Sequence, residues 1–224
     1  MSTAFQPRRT AKAVLQLIES LNSGRKVRPV VTPSGHRARG YFPSLKALRA
    51  RYESLVEEDT LRILEVAPSV LSVQTHAFVL ALTATDRGRS ARIHYTPDFI
   101  VTLTDTATVV ETKGDWLFKL SEPRASLRRT LLAAQHHDLP LAVFSETDVR
   151  PAGLQDELKL LLRERPTCNR RSLRLDTTRW DPTGQAEPSG QTLRRWREAQ
   201  KACDELLDRV MRRDPGEVIA SLEV

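Results

Sequence analysis

Glu111 and Lys113 stand two residues apart in a β-branched run, Ala107-Thr108-Val109-Val110-Glu111-Thr112-Lys113, that favours an extended strand. Successive side chains of a strand alternate between faces, so Glu111 and Lys113 project together and Thr112 points the other way. Asp98 follows Pro97 inside the preceding apolar run, and a hairpin between the two runs would bring it beside that pair. Two adjacent carboxylates suit a hard, oxygen-preferring divalent cation such as Mg²⁺. A lysine alongside can orient a water or help deprotonate it, and can stabilise charge developing at phosphorus. Glu57 comes four and seven residues before Leu61 and Leu64, which places an acid on the apolar face of a helix. Directed at the core, it could complete the site. The same residues also admit a plainer reading, in which Glu111 and Lys113 form a surface salt bridge and Asp98 caps a turn.

The elements around these residues follow from periodicity. Residues 10–22 carry Ala13, Val14, Leu17, Ile18 and Leu21 at helical spacing, with Ser23-Gly24 as a stop. Residues 25–42, basic and rich in Pro and Gly, read as a loop or extended arm. Ser44 after Pro43 is an N-cap candidate for a long helix reaching residue 66. Strand-like runs follow at residues 69–74, 75–84, 91–103 and 107–113, with Pro97 marking a bend or a strand start. A helix at residues 127–137 and a strand at 139–145 complete an α/β pattern, a mixed sheet flanked by helices. Helices at residues 153–165 and 192–213 form a smaller, mainly helical C-terminal region. Between them lies a Pro-, Thr- and Arg-rich stretch with Trp180 as an anchor. Three segments are expected: an N-terminal helix and arm (1–39), a catalytic unit (40–150) and a C-terminal helical region (151–224).

The chain has 224 residues, 40% of them apolar, which is enough to bury a core. No apolar run reaches the ~18 residues of a membrane span, and the N-terminal segment lacks a signal-peptide core. The two cysteines, Cys168 and Cys203, make no disulfide framework and no zinc-like cluster, so a cytoplasmic setting is expected. The formal charge of +7 is unevenly placed. Residues 1–53 hold eleven lysines and arginines against Glu19 and Glu53, whereas residues 54–150 hold ten against thirteen acids. Such asymmetry fits a nucleic-acid partner, with Arg25, Lys26, Arg28, Arg37 and Arg39 on phosphates. A merely solvated, arginine-rich leader remains the alternative.

The set Glu57 … Pro97-Asp98 … Glu111-Thr112-Lys113 resembles the PD-(D/E)XK nuclease pattern. Further matches occur in order: Gly40-Tyr41-Phe42-Pro43-Ser44 with Lys46, Tyr52-Glu53-Ser54-Leu55-Val56-Glu57, Ala67-Pro68-Ser69-Val70, Val73-Gln74 and Tyr95-Thr96-Pro97-Asp98-Phe99. Together they resemble TnsA-type transposon endonucleases over about residues 25–150. The resemblance implies a restriction-endonuclease-like fold and hydrolysis at the 5′ strand ends of a transposon. It implies Glu57, Asp98, Glu111 and Lys113 as catalytic residues, Gln74 in support, and Lys46 among the DNA contacts. Mg²⁺ or Mn²⁺ would be held by Glu57, Asp98, Glu111 and the Thr112 backbone carbonyl. The implied partners are double-stranded DNA at transposon ends, a TnsB-like DDE recombinase and a TnsC-like AAA+ regulator, in a bacterial, nucleoid-associated setting. That family's C-terminal domain is winged-helix-like, and residues 151–224 match none of its pattern. A stand-alone restriction-type or junction-resolving nuclease and a DNA-binding assembly adaptor stay open beside this reading. Among the other residues, His76 and His94 flank the strands and could face the site but read first as structural or exposed histidines, Trp116 as a packing residue before a DNA contact, and Trp196 as core or interface.

Overall fold

Ser54 starts the helix that carries Glu57. Its Oγ accepts from the Glu57 N–H at 3.1 Å and donates to Glu57 Oε1 at 3.0 Å, while the Glu53 N–H donates to Glu57 Oε2 at 2.8 Å. These bonds satisfy N–H groups that a helix start leaves unpaired and fix the carboxylate's orientation. Ser54→Ala is expected to lower stability by about 1 kcal/mol, read as a shifted urea midpoint at unchanged slope.

The computed structural model describes residues 9–27, 38–86, 88–164 and 190–222. Helix α1 spans Ala11–Leu21, capped by Thr10, and α2 spans Leu55–Val66. The long helix expected from Ser44 is shorter, because residues 40–52 form a hairpin of β1 (Gly40–Phe42) and β2 (Ala50–Tyr52). Gly40 permits it: a side-chain carbon there would stand 2.6 Å from Tyr52 Oη. Ser44 caps a loop instead of a helix. Its Oγ accepts from the Lys46 and Ala47 N–H groups, each at 3.0 Å, and donates to Glu65 Oε2 at 2.6 Å. Lys46 turns its ammonium onto the Leu64 and Ala67 carbonyls at the C-terminal end of α2, where a helix favours positive charge.

Strands β3 (Val70–Thr75), β4 (Leu80–Asp86), β5 (Arg89–Tyr95), β6 (Phe99–Leu103), β7 (Ala107–Lys113) and β8 (Leu141–Ser145) follow. The expected run at 91–103 is two strands, divided at Thr96-Pro97-Asp98, since proline removes a ladder donor. The run at 75–84 is likewise interrupted: β3 ends at Thr75 and β4 begins only at Leu80. The main sheet is four-stranded and mixed, in the order β3-β6-β7-β8, with the β7–β8 pair parallel and the others antiparallel. Strands β4 and β5 pair separately.

Helix α3 (Ser121–His136) begins six residues before the expected start, and α4 (Glu146–Val149), α5 (Leu154–Glu164), α6 (Gly190–Met211) and α7 (Pro215–Ser221) complete the chain. One core joins Phe99, Val101, Val110 and Phe144 of the sheet to α2, α5 and α6, with Cys203, Leu206 and Val210 of α6 inside it. The other face buries Ile100 and Val109 under α1 (Val14, Ile18), β4 (Leu80, Leu82) and α3 (Ala133). The chain is thus α/β, a mixed four-stranded sheet flanked by helices, with a helical C-terminal region. No helix among the described residues is long and apolar enough to cross a membrane.

The sheet is asymmetric where it matters. The β6–β7 ladder ends at Phe99↔Val110, so Glu111, Thr112 and Lys113 run past β6 and pair only with β8. On the β6 side this leaves an open edge, and Asp98 occupies it.

Candidate metal centre

Asp98 Oδ2 accepts from the Thr112 N–H at 2.7 Å and from Thr112 Oγ1 at 2.8 Å. Thr112 therefore clamps the carboxylate, with its N–H in the place where β6 would otherwise pair. Its carbonyl, named in the expected ligand set, lies on the same edge of the strand as that N–H.

His76 follows the last residue of β3 with φ of +46°, in the left-handed region. Its N–H donates to the Asp98 carbonyl at 3.0 Å. Its Nε2 lies 3.6 Å from Glu57 Oε2 and 3.9 Å from Asp98 Oδ1. Glu57, His76 and Asp98 thus offer one nitrogen and two oxygens, all within 4.8 Å of one another. Glu111 lies beside this trio, its Oε2 accepting from Tyr95 Oη at 2.7 Å and its Oε1 paired with the Lys113 ammonium. Glu57, His76 and Glu111 are 6–7% exposed, whereas the Lys113 side chain keeps 25% of its surface open.

Burial, then the Asp98 charge, pushes Glu57 up to about 8. Burial also raises Asp98 against the opposing pull of Lys113 and the Thr112 hydrogen bonds. Glu111 is raised by burial and by Asp98, with Lys113 and Tyr95 opposing. Desolvation works to lower Lys113, yet Glu111 and Asp98 outweigh it and hold the ammonium above its usual value. Two buried acids, Glu57 and Glu111, and the half-buried Asp98 form with one lysine a cluster whose charge a cation would balance.

No protein-family model matches this chain, and no curated protein matches it. The geometry therefore stands alone. Three separate stretches of the sequence, carrying Glu57, Asp98 and the Glu111–Lys113 pair, meet at the open edge of β7.

Other expected site residues lie elsewhere. Gln74 is exposed on β3, opposite Ile100, with no hydrogen bond to the cluster among the described residues. Lys46, expected on DNA, caps α2. Arg25 and Lys26 are exposed just after α1, and Arg39 is half-buried before β1. Arg28, Arg37, Trp180 and Cys168 lie outside the described residues. Partial desolvation, then the charges of Arg25 and Arg92, hold the His94 imidazole below its usual value, so Arg25 belongs to the same surface as β5. Exposed Arg89 and Arg92 make that surface basic. Trp116, expected to pack, is 54% exposed. Its indole folds back over Gly114, where a side-chain carbon would come within 2.8 Å of Nε1. Trp196 packs against the core shared with α2.

One member of the centre, Tyr95, is not anticipated as such; the available signal is a phenol in the Tyr-Thr-Pro-Asp run that leads into the acidic cluster. His76, expected first as a structural or exposed histidine that could also face the site, does face it.

Proposed function

We propose that this protein is a metal-dependent DNA endonuclease with the restriction-endonuclease-like fold of PD-(D/E)XK enzymes. Its role is that of a TnsA-like subunit of a heteromeric transposase, hydrolysing phosphodiesters at the 5′ strand ends of a transposon. A TnsB-like DDE recombinase would act on the 3′ ends, and a TnsC-like AAA+ regulator would engage the helical C-terminal region. The observation that carries this reading is the meeting of Glu57, Asp98, Glu111 and Lys113 on one open strand edge. The TnsA resemblance of residues 25–150 supports the narrower role.

The donor set fits a divalent cation: two carboxylates and an imidazole within 4.8 Å, in a buried acidic cluster. Glu57 and Asp98 would hold Mg²⁺ or Mn²⁺ there, which would supply Lewis-acid polarisation of the phosphodiester and a more acidic water. Thr112 holds Asp98 in one orientation, and the Ser54 and Glu53 donors do the same for Glu57. Glu111, braced by Tyr95, fixes the Lys113 ammonium at the open side of the centre. There Lys113 stabilises the negative charge that builds on the phosphoryl oxygens. Arg25, Arg89 and Arg92 present positive charge on the surface of β5, the strand that ends at Tyr95, and so guide the DNA backbone toward the centre.

Supercoiled DNA incubated with Mg²⁺ or Mn²⁺, first with the protein alone and then with a TnsB-like recombinase, tests the role. Cleavage only with the recombinase is the expected result. Cleavage by the protein alone identifies a stand-alone nuclease, and DNA binding without cleavage identifies an assembly adaptor. Neutralising Arg25, Lys26, Arg28, Arg37 and Arg39 together should flatten the salt dependence of DNA binding, the slope falling by about 0.9 for each phosphate no longer neutralised. An unchanged slope makes this segment a solvated leader.

A further inference from the structure

His76 is the residue of the centre that an all-oxygen magnesium site does not need, and two independent features single it out. The first is its backbone. A φ of +46° is uncommon for any residue other than glycine, and such conformations persist where surrounding contacts enforce them. The enforcing contact here is the hydrogen bond from the His76 N–H to the carbonyl of Asp98, itself a member of the centre. The second is spacing. Nε2 lies 3.6 Å from Glu57 Oε2 and 3.9 Å from Asp98 Oδ1. Ligand bonds of about 2.0–2.2 Å separate neighbouring donors by about 2.8–3.1 Å at octahedral angles and by about 3.3–3.6 Å at tetrahedral ones. A charge-assisted hydrogen bond from an imidazolium to either carboxylate would measure about 2.7–2.9 Å. The three donors, all within 4.8 Å of one another, stand too far apart for such hydrogen bonds and slightly wider than bound ligands, so a small inward movement would close them on an ion.

We propose that His76 is a third protein ligand of the metal held by Glu57 and Asp98, and that its nitrogen makes the centre prefer a first-row transition ion, with Mn²⁺ as its probe, over Mg²⁺. The proposal rests on reading the cluster as a metal centre. Imidazole is a borderline donor that suits transition ions, whereas Mg²⁺ favours oxygen ligands and keeps its waters.

The test is calorimetric titration of Mn²⁺ and of Mg²⁺ into the metal-stripped full chain, with pulsed electron paramagnetic resonance of the Mn²⁺ form. Mn²⁺ is expected to bind about tenfold or more tightly than Mg²⁺ and to show ¹⁴N modulation from a coordinated imidazole. His76→Ala should remove that modulation and weaken Mn²⁺ about tenfold while moving Mg²⁺ by no more than about twofold. Equal affinities for the two ions, or bound Mn²⁺ without nitrogen coupling, overturn the proposal, and the wild-type spectrum decides even where His76→Ala folds poorly. Plasmid cleavage is scored separately. Nitrogen-coupled Mn²⁺ without cleavage supports the centre and removes the nuclease reading; cleavage without nitrogen coupling keeps the nuclease and removes His76.

Discussion

Asp98→Asn and Lys113→Ala are each expected to slow DNA cleavage by about 10²–10³-fold, on the order of 3–4 kcal/mol of transition-state stabilisation. The two losses differ in kind. Asparagine keeps an oxygen to accept from the Thr112 N–H and Oγ1, so the open edge of β7 stays closed by the same bonds. What disappears is the negative ligand, so metal affinity falls together with rate. Lys113→Ala leaves Glu57, His76 and Asp98 in place, so metal still binds and the deficit appears in kcat. Glu111, then held by Tyr95 alone, becomes a buried charge without its cation. The double variant Lys113→Ala/Glu111→Gln therefore separates stability from chemistry: it should recover the unfolding midpoint but not the rate. Wild-type cleavage by both single variants would remove these residues from catalysis.

The acids of the centre were legible because strand alternation and helical periodicity act locally. Val109 and Glu111 share a face by period two, and Glu57 lies along the row of Leu61 and Leu64 by period 3.6. The helix start was harder. Ser44 and Ser54 are both capping residues, and what separates them is Glu57 three residues after Ser54, together with a distant partner, Glu65, that claims Ser44. Lys46 shows the limit of charge reading. On composition it belongs to a basic arm, yet tertiary contact places it on the end of α2. His76 could not be told apart from His94 for a related reason. Its role depends on cross-strand placement next to Asp98 and on a left-handed backbone, and no local pattern encodes either. The mixed sheet itself was visible as an alternation of strands and helices. That α2 and α6 share one core face, and α1 and α3 the other, emerges only when the strands are ordered.

Without metal, the protein should lose stability as pH rises from about 5 to about 8, and Glu57→Gln should flatten that loss. Glu57 is held up to about 8, against an ordinary value of 4.5, by burial first and then by Asp98. Between those values the folded state keeps a proton that the unfolded chain has released. The unfolded state binds fewer protons, so stability falls with rising pH. The contribution is fully present below 4.5 and gone once pH passes about 8. It amounts to a few kcal/mol by order of magnitude. Asp98 and Glu111, also raised by burial, act in the same direction. Asp148 acts oppositely, since hydrogen bonds from Arg213 and Ser145 outweigh its burial and hold it below its usual value; its contribution is lost only as pH falls through the acid range. In Glu57→Gln the amide oxygen can still accept from the Glu53 N–H, so the start of α2 keeps a partner while the titration disappears. Added Mn²⁺ should reverse the trend, because it binds the ionised carboxylates and its stabilisation grows as they deprotonate. The gain in unfolding midpoint on adding metal is therefore larger at pH 8 than at pH 6, measured by chemical denaturation with and without chelator. A pH slope in Glu57→Gln equal to wild type would show that another group carries the dependence, and a metal effect independent of pH would mean that no carboxylate is deprotonated on binding.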